Sequence, residues 1–335
     1  MQFASFVSTR LGKALLVMLG VVVINFFLIR LAPGDPAMVM AGESGAGDAA
    51  FVQNLRQQFG LDQPQLVQLG LYLKGVGSLD LGFSYRNHVP VLELILDRLP
   101  ATLLLMAAAF VISIVVGVAL GALAARTRYR GRHRWLDGVI MTSAMVLYAT
   151  PLFWLSLLAI IVFSVLLGWL PAFGMENVMA GLSGWARIAD IAQHLVLPAC
   201  SLAVFFIAVY ARLTRAAMLE VMGMDFVRTA RAKGVPAGRV LRVHILRNAL
   251  LPVVTFAGVQ LGQLAGGALL TETVFSWPGI GRLMFDALLQ RDYQLLLGIF
   301  LVTSAMVVGF NLMADLLHRF LDPRIGSGAA AGAPG

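Results

Sequence analysis

Six apolar runs, each long enough to cross a lipid bilayer as a helix of about 20 residues, constrain this chain more than any other feature. They lie at about Ala14–Leu31, Thr102–Ala125, Val139–Leu167 and His194–Ala211, then onwards from Pro252, and at about Leu295–Leu317. Inside lipid the backbone finds no water, so each run satisfies its own peptide groups by coiling into a helix. Of the 335 residues 59% are hydrophobic and 13% charged, against about 25% charged in a soluble domain. Mean hydropathy is +0.84. The expected fold is an all-α integral membrane protein with about six transmembrane helices.

The charges orient it. Arg126, Arg128, Arg130, Arg132 and Arg134 crowd the connection after the second run, and HRFLDPRI from His318 follows the last. Cationic loops stay in the cytoplasm, so both termini are expected inside, N-in and C-in. The same arginines could also contact anionic lipid. A net charge of +8 raises the question of nucleic acid. The basic residues sit between apolar runs, however, without interleaved aromatics to stack bases, so no nucleic-acid partner is expected. Arg10 and Lys13 precede the first run in the manner of a secretory signal. That run is too long, and Arg30 stands where a small-residue cleavage site belongs, so residues 1–32 read as a retained anchor. Cys200, the one cysteine, permits no intrachain disulfide and reads as a small packing residue.

Residues 33–98 read as an external, periplasmic helical cap. APGD from Ala32 turns the chain out of the membrane. Phe51, Leu55 and Phe59 recur at helical spacing, and Asp62 with Pro64 opens a helix carrying Leu66, Leu69 and Leu73. Such a cap is either a docking surface or a lid over helix ends. Residues 99–318 form the membrane core. Pro151 would bend or break the third run, and Trp169 and Trp185 flank it and the fourth as interfacial aromatics. Gly117 and Gly121, and Gly258, Gly262 and Gly266, fall at spacings that let helices pack closely. The second set could instead form a flexible pathway wall. The segment from Thr271 reads as external, re-entrant or on the surface. Residues 319–335 are a cytoplasmic tail whose end, from Gly326, has nothing with which to bury a core.

Catalytic patterns are missing. There is no G-x-x-x-x-G-K-[ST] loop to cradle phosphates, and no G-x-S-x-G elbow. His88, His133, His194, His244 and His318 are scattered without metal-ligand spacing, so no metal site is expected. Glu272 and Asp315 are placed near span ends, where solvation is cheap. The chain is not expected to be an enzyme or to hold a cofactor; any ATP hydrolysis belongs to a partner.

Residues 216–251 are a water-compatible stretch caught between two greasy ones, and they read as a cytoplasmic docking element. Asp225 can cap a short helix whose last turn carries Arg231 and Lys233, Gly234 supplies a left-handed stop, and Pro236 blocks continuation. A second helix follows, with Val240, Val243 and Leu250 on one side and Arg239 and Arg242 on another. Ala230, Ala232 and Gly234 are small enough to let another protein approach the bend.

RTARAKG from Arg228 and HILRNALLPVVT from His244 resemble the cytoplasmic loop of the inner-membrane permeases of bacterial ABC importers, in the dipeptide, oligopeptide, glutathione and nickel group. LAPGDP at Leu31, FGLDQP at Phe59, LDLGFSYRNHVPV at Leu79 and the segment from Thr271 extend the likeness over most of the chain. Arg228 and Thr229 stand where Glu and Ala are commonest in the wider family, and Gln294 where proline is common. The resemblance implies a type I ABC importer transmembrane domain. It implies that Asp225, Arg228, Thr229, Ala230, Arg231, Ala232, Lys233, Gly234, Val235 and Arg239 couple to an ATPase. It also implies a second, homologous permease subunit forming a heterodimer, two ATP-binding subunits that hold ATP and Mg, and a periplasmic substrate-binding protein. Peptide, glutathione and nickel complex remain open as substrates, and no substrate-binding residue stands out. A self-sufficient secondary carrier or intramembrane enzyme is the competing reading; it requires activity from the purified chain in vesicles without an ATPase.

Overall fold

The computed structural model describes residues 2–31, 52–53, 56, 62–84, 86–130 and 133–321. In chain order these form α1 (Gln2–Leu31), α2 (Gln65–Gly77), a hairpin of β1 (Phe83–Ser84) and β2 (Val89–Pro90), α3 (Val91–Arg130), α4 (Arg134–Ala149), α5 (Leu152–Ala159), α6 (Gly184–Met222), α7 (Asp225–Ala232), α8 (Ala237–Arg239), α9 (Arg247–Val274), α10 (Ile280–Leu289) and α11 (Tyr293–Leu321). Wider π-helical turns follow α5 over Ile160–Leu166 and join α8 to α9 over Val240–Leu246. Among the described residues, five helical stretches are long and apolar enough to cross a membrane: Ser8–Leu28, Val91–Arg128, Gly184–Met222, Ala237–Gly258 and Tyr293–Asp315. The pair Arg134–Ala149 and Leu152–Leu166, bent by 106°, makes a sixth if counted as one span.

Proline explains where helices break and where they do not. At the bend, Pro151 has no N–H to continue α4, and its carbonyl instead accepts from Leu155 N at 3.1 Å to start α5. Pro100 and Pro198 lie inside α3 and α6, each removing one backbone bond from a helix of 40 or 39 residues that runs on regardless. These helices therefore overrun the apolar runs. α3 begins at Val91 rather than near Thr102, and α6 at Gly184 rather than His194. His194, taken as the start of the fourth apolar run, is instead buried within α6, its Nδ1 2.8 Å from the Asp190 carbonyl oxygen. Cys200 is exposed on α6 instead of packed. The helix expected around Phe51, Leu55 and Phe59, and the tail from Gly326, lie outside the described residues.

The chain divides into two compact units. In the first, residues 1–100 and 278–312, Val91 and Ile95 are fully buried with Leu81, Ile280, Leu295 and Ile299. Gly298 allows that closeness, because a Cβ there would collide with Val91 Cγ1. Ser84 Oγ donates to Asp292 Oδ2 at 2.5 Å, and Asp292 Oδ1 accepts from Leu295 N at 3.0 Å. One buried carboxylate thus caps α11 and ties the hairpin to it. Gln294 adds a second tie, its Nε2 donating to Leu81 O at 2.9 Å. On α2, Leu69 and Leu73 are half-buried while Leu66, in the first turn, is exposed.

In the second unit, residues 101–277 and 313–335, α3 meets α6 at two glycines. A Cβ on Gly117 would stand 2.5 Å from Tyr210 Cβ, and one on Gly121 2.5 Å from Ala211 O, so the two backbones touch where side chains would otherwise hold them apart. Asp137 on α4 is buried and receives Arg215 Nε at 2.5 Å and an Arg215 terminal nitrogen at 2.7 Å; Arg128 lies 3.6 Å away. This bidentate pair links α4 to α6. At the other end of α9 the chain folds back on itself: Trp277 N donates to Glu272 O at 2.9 Å, and the buried indole donates to Ala101 O at 2.8 Å. That cover leaves Glu272 fully buried, not solvated as its place near a span end led us to expect.

Candidate coupling site

α7 is short, and only two of its side chains are buried: Val227 and Ala230, three residues apart and so on one face. They pack with Met218, Val221 and Met222 of α6, Val240 and Ile245 of the π-helical turn, and Ala249 of α9. The remaining side chains, Asp225, Phe226, Arg228, Thr229, Arg231 and Ala232, and Lys233 just past the helix, are exposed. Arg228 has 72% of its side chain accessible. A helix this short would not hold in water alone, so its shape depends on the two anchors and on its ends.

Its carboxyl end is fixed by hydrogen bonds of the Schellman type. Gly234 N donates to Arg231 O at 2.9 Å and Val235 N to Ala230 O at 3.2 Å, with Gly234 at φ +75°. Val235 folds back onto the Val227 and Ala230 cluster, supplying the apolar contact that accompanies such a stop. The amino end differs from the sequence reading. Met224, in extended conformation, holds the cap position and no side chain satisfies the first amides. Asp225 is the first helical residue, 94% exposed at its side chain and 3.4 Å from Arg228. Its charge still complements the positive end of the helix.

Beyond the stop, Pro236 O accepts from Arg239 N at 2.9 Å and from Val240 N at 3.0 Å, restarting the helix. Arg239 is exposed. The wide turn that follows changes the period, so Val240 and Ile245 are buried while Val243 is exposed. Ala230 also departs from expectation, because its place beside Val227 turns it into its own chain's core and away from any partner. Val227 went unremarked in the sequence reading, although its spacing from Ala230 carried the signal. Nothing local marks Asp137 and Arg215, which are 78 residues apart.

The glycines divide. Gly117 and Gly121 face α6, as described. On α9 Gly258 is buried and Gly262 half-buried, whereas Gly266 is exposed and a Cβ there would meet nothing within 4 Å; its neighbour Gly267 is the one pressed on Leu202. Beside the amino-terminal part of α6 an open cleft of about 410 Å³ is lined by Phe173, Glu176, Asn177, Asp190 and His194 among others. Its acids have partners within the chain. Arg187 donates twice to Glu176, at 2.5 and 2.9 Å, and holds that carboxyl below its usual range, while Asp190 accepts from Asn177 N at 2.6 Å. Among the described residues no group of acidic, histidine or cysteine side chains could hold a metal ion.

Lipid-length helices packed through glycines, with one short anchored helix offering an exposed charged face, define a helical membrane protein. Residues 117–327 match the binding-protein-dependent transport system inner membrane component family, and residues 3–106 match the model of its N-terminal part. The chain belongs to this family of inner-membrane permeases. It is 40% identical over 330 residues to the dipeptide transport system permease protein DppB of Alkalihalophilus pseudofirmus, covering 94% of this chain and 97% of that one. To the dipeptide transport system permease protein DppB of Escherichia coli strain K12 it is 39% identical over 337 residues, covering 96% and 98%. The solved structure of the MetNI methionine ABC transporter, inward facing, shares the fold with a TM-score of 0.55 at 19% identity, over 68% of this chain and 96% of that one.

Proposed function

We propose that this permease carries di- or oligopeptides across the inner membrane in an ATP-driven importer, forming half of the pathway beside a second permease subunit. Two ATP-binding subunits, holding ATP and Mg, drive it from the cytoplasm, and a periplasmic binding protein delivers the peptide. Coupling runs through the exposed face of α7 and the Gly234 stop: Asp225, Arg228, Thr229, Arg231, Ala232, Lys233 and Arg239 meet the ATPase, while Ala230 and Val235 anchor that face from behind. The observation that carries this reading is the two-sided character of α7. Val227 and Ala230 make it a rigid extension of α6 and α9, so a push on its charged face is transmitted to both spans instead of being lost in a loose loop. Full-length likeness to two dipeptide permeases supports the substrate class.

Proteoliposomes test both halves. The complete assembly is expected to accumulate a labelled dipeptide only with ATP, and this chain alone is expected to accumulate none. Uptake by the isolated chain would overturn the importer reading. ATP-dependent uptake of glutathione or a nickel complex, with dipeptide excluded, would overturn the substrate.

A further inference from the structure

α4 and α6 meet at two levels. At one, Asp137 receives Arg215; at the other, the rings of Tyr148 and Phe205 stack with centroids 4.6 Å apart. Tyr148 lies about 16 Å along α4 from Asp137, and Phe205 about 15 Å back along α6 from Arg215, so the helices run antiparallel. The ring pair therefore sits inside the apolar run that ends at Ala211. Side chains lean toward the amino end of their own helix, so on antiparallel neighbours they face one another. Arg212 accordingly reaches back into that run, its guanidinium carbon 4.9 Å from the centre of the Tyr148 ring. Arg212 is exposed, as are Tyr148 at 40% and Phe205 at 37%. Among the described residues no carboxylate lies within 4 Å of Arg212; Asp137 belongs to Arg215 and Arg128. Stacking occupies one face of the guanidinium and leaves its in-plane N–H donors open.

We propose that Arg212, with Tyr148 and Phe205 as apolar walls, binds the carboxylate end of the peptide as it crosses the membrane, an assignment that rests on the peptide-importer reading above. A charged side chain at this depth faces a bundle interior or a water-filled passage, not acyl chains. Its own chain leaves Arg212 uncovered, so what it faces is the passage that the second subunit completes. α6 is also the most enclosed span, with 61% of its most apolar stretch buried against 11–33% in the other four single spans. An arginine serving only to meet lipid would turn its head toward the water near α7; this one turns the other way, onto a ring. Its planar fork matches a carboxylate with two parallel hydrogen bonds, and the ring fixes the fork. A peptide supplies both chemistries that the cluster leaves unmatched: a terminal carboxylate, and side chains to lie against open aromatic rings. A lipid phosphate sits at headgroup depth, outside the run that holds the ring pair. A carboxylate from the second subunit would use the arginine and leave the open rings unexplained.

The test is direct binding to the complete assembly in nanodiscs, without its binding protein, of radiolabelled alanylphenylalanine and of the same dipeptide with its carboxyl end amidated. Wild type is expected to bind the free acid at least fivefold more tightly than the amide, and Arg212→Gln to bind the two within twofold of each other. Arg212→Lys should keep at least a twofold preference, and Tyr148→Phe, which keeps the ring, should match wild type within twofold. ATP hydrolysis stimulated by the binding protein should stay within twofold of wild type in all three variants, which a merely structural arginine would not allow. Equal binding of acid and amide by wild type overturns the proposal, as does a preference that survives in Arg212→Gln. Dissociation of the Arg212→Gln assembly, or a collapse of its ATP hydrolysis, would give the arginine to a carboxylate of the second subunit and overturn it as well. Failure of the wild-type assembly to accumulate dipeptide with ATP in proteoliposomes is a separate result, and it overturns the peptide reading itself.

Discussion

Gly121 and Gly266 look alike in the sequence and differ in what surrounds them. At Gly121 the obstacle is the Ala211 carbonyl oxygen, 2.5 Å from where a Cβ would stand, and backbone cannot rotate out of the way. Gly121→Ala gains about 1 kcal/mol of helix propensity but must push α3 from α6, an overpacking cost of about 1–3 kcal/mol. The expected result is a lower unfolding temperature in detergent. Gly266→Ala meets nothing within 4 Å, so it should leave that temperature unchanged or raise it slightly; a fall would show Gly266 packed within its own chain. Asp137 is the other residue on which the second unit turns. Asp137→Asn keeps the shape but leaves Arg215 without its carboxylate, and should cost about 2–3 kcal/mol, below the roughly 3–5 kcal/mol of a fully buried pair because Arg215 is partly solvated. Asp137→Asn/Arg215→Gln should lose less than the two single changes added together. Glycine spacing was legible as helix packing for α3, since a small residue every fourth position has few other uses in lipid. The ion pair was not, because the loop charges of α3 and α4 gave no hint of a partner far along α6.

At the scale of the element, α7 shows what local chemistry can and cannot encode. Its stop and restart were readable: Gly234 takes a backbone angle that other residues resist, and Pro236 cannot donate to the preceding turn. The π-helical turn over Val240–Leu246 was not readable, because a helix wheel of 3.6 residues places Val240 and Val243 together, while the wider turn pairs Val240 with Ile245. Gly234→Val separates the stop from the surface. There is open space for a side chain, so the cost is the left-handed backbone, about 1–2 kcal/mol and higher for a β-branched residue. The variant should insert normally but lose most ATPase association and most uptake. Gly234→Asn, which tolerates the same angle, should keep at least half of both. If valine transports as well as glycine, the stop has no part in coupling.

Across the whole molecule, cuts made at residues 33, 99 and 319 follow the alternation of lipid-soluble and water-soluble chain, whereas the two compact units divide the sequence after Pro100, Trp277 and Leu312. Apolar runs record the solvent around each stretch; they do not record that the start of α11 packs on Val91 and Ile95, which lies in long-range complementarity. Sidedness, by contrast, follows from length and charge. α6 has 39 residues and rises about 58 Å, nearly twice the roughly 30 Å of hydrocarbon in a bilayer. The expectation is therefore that Trp185 at its start and Lys233 beyond its end lie on opposite sides of the membrane, with Lys233 in the cytoplasm when the bent pair Arg134–Ala149 and Leu152–Leu166 makes one crossing from the arginine-rich connection. In a Cys200→Ser background, Lys233→Cys should react with a membrane-impermeant maleimide at least tenfold faster in inside-out vesicles than in right-side-out cells, and Trp185→Cys should show the reverse. Labelling of both from one side would mean that α6 does not cross. Labelling of Lys233→Cys from the periplasm would put α7 out of reach of any ATPase and remove the coupling site altogether.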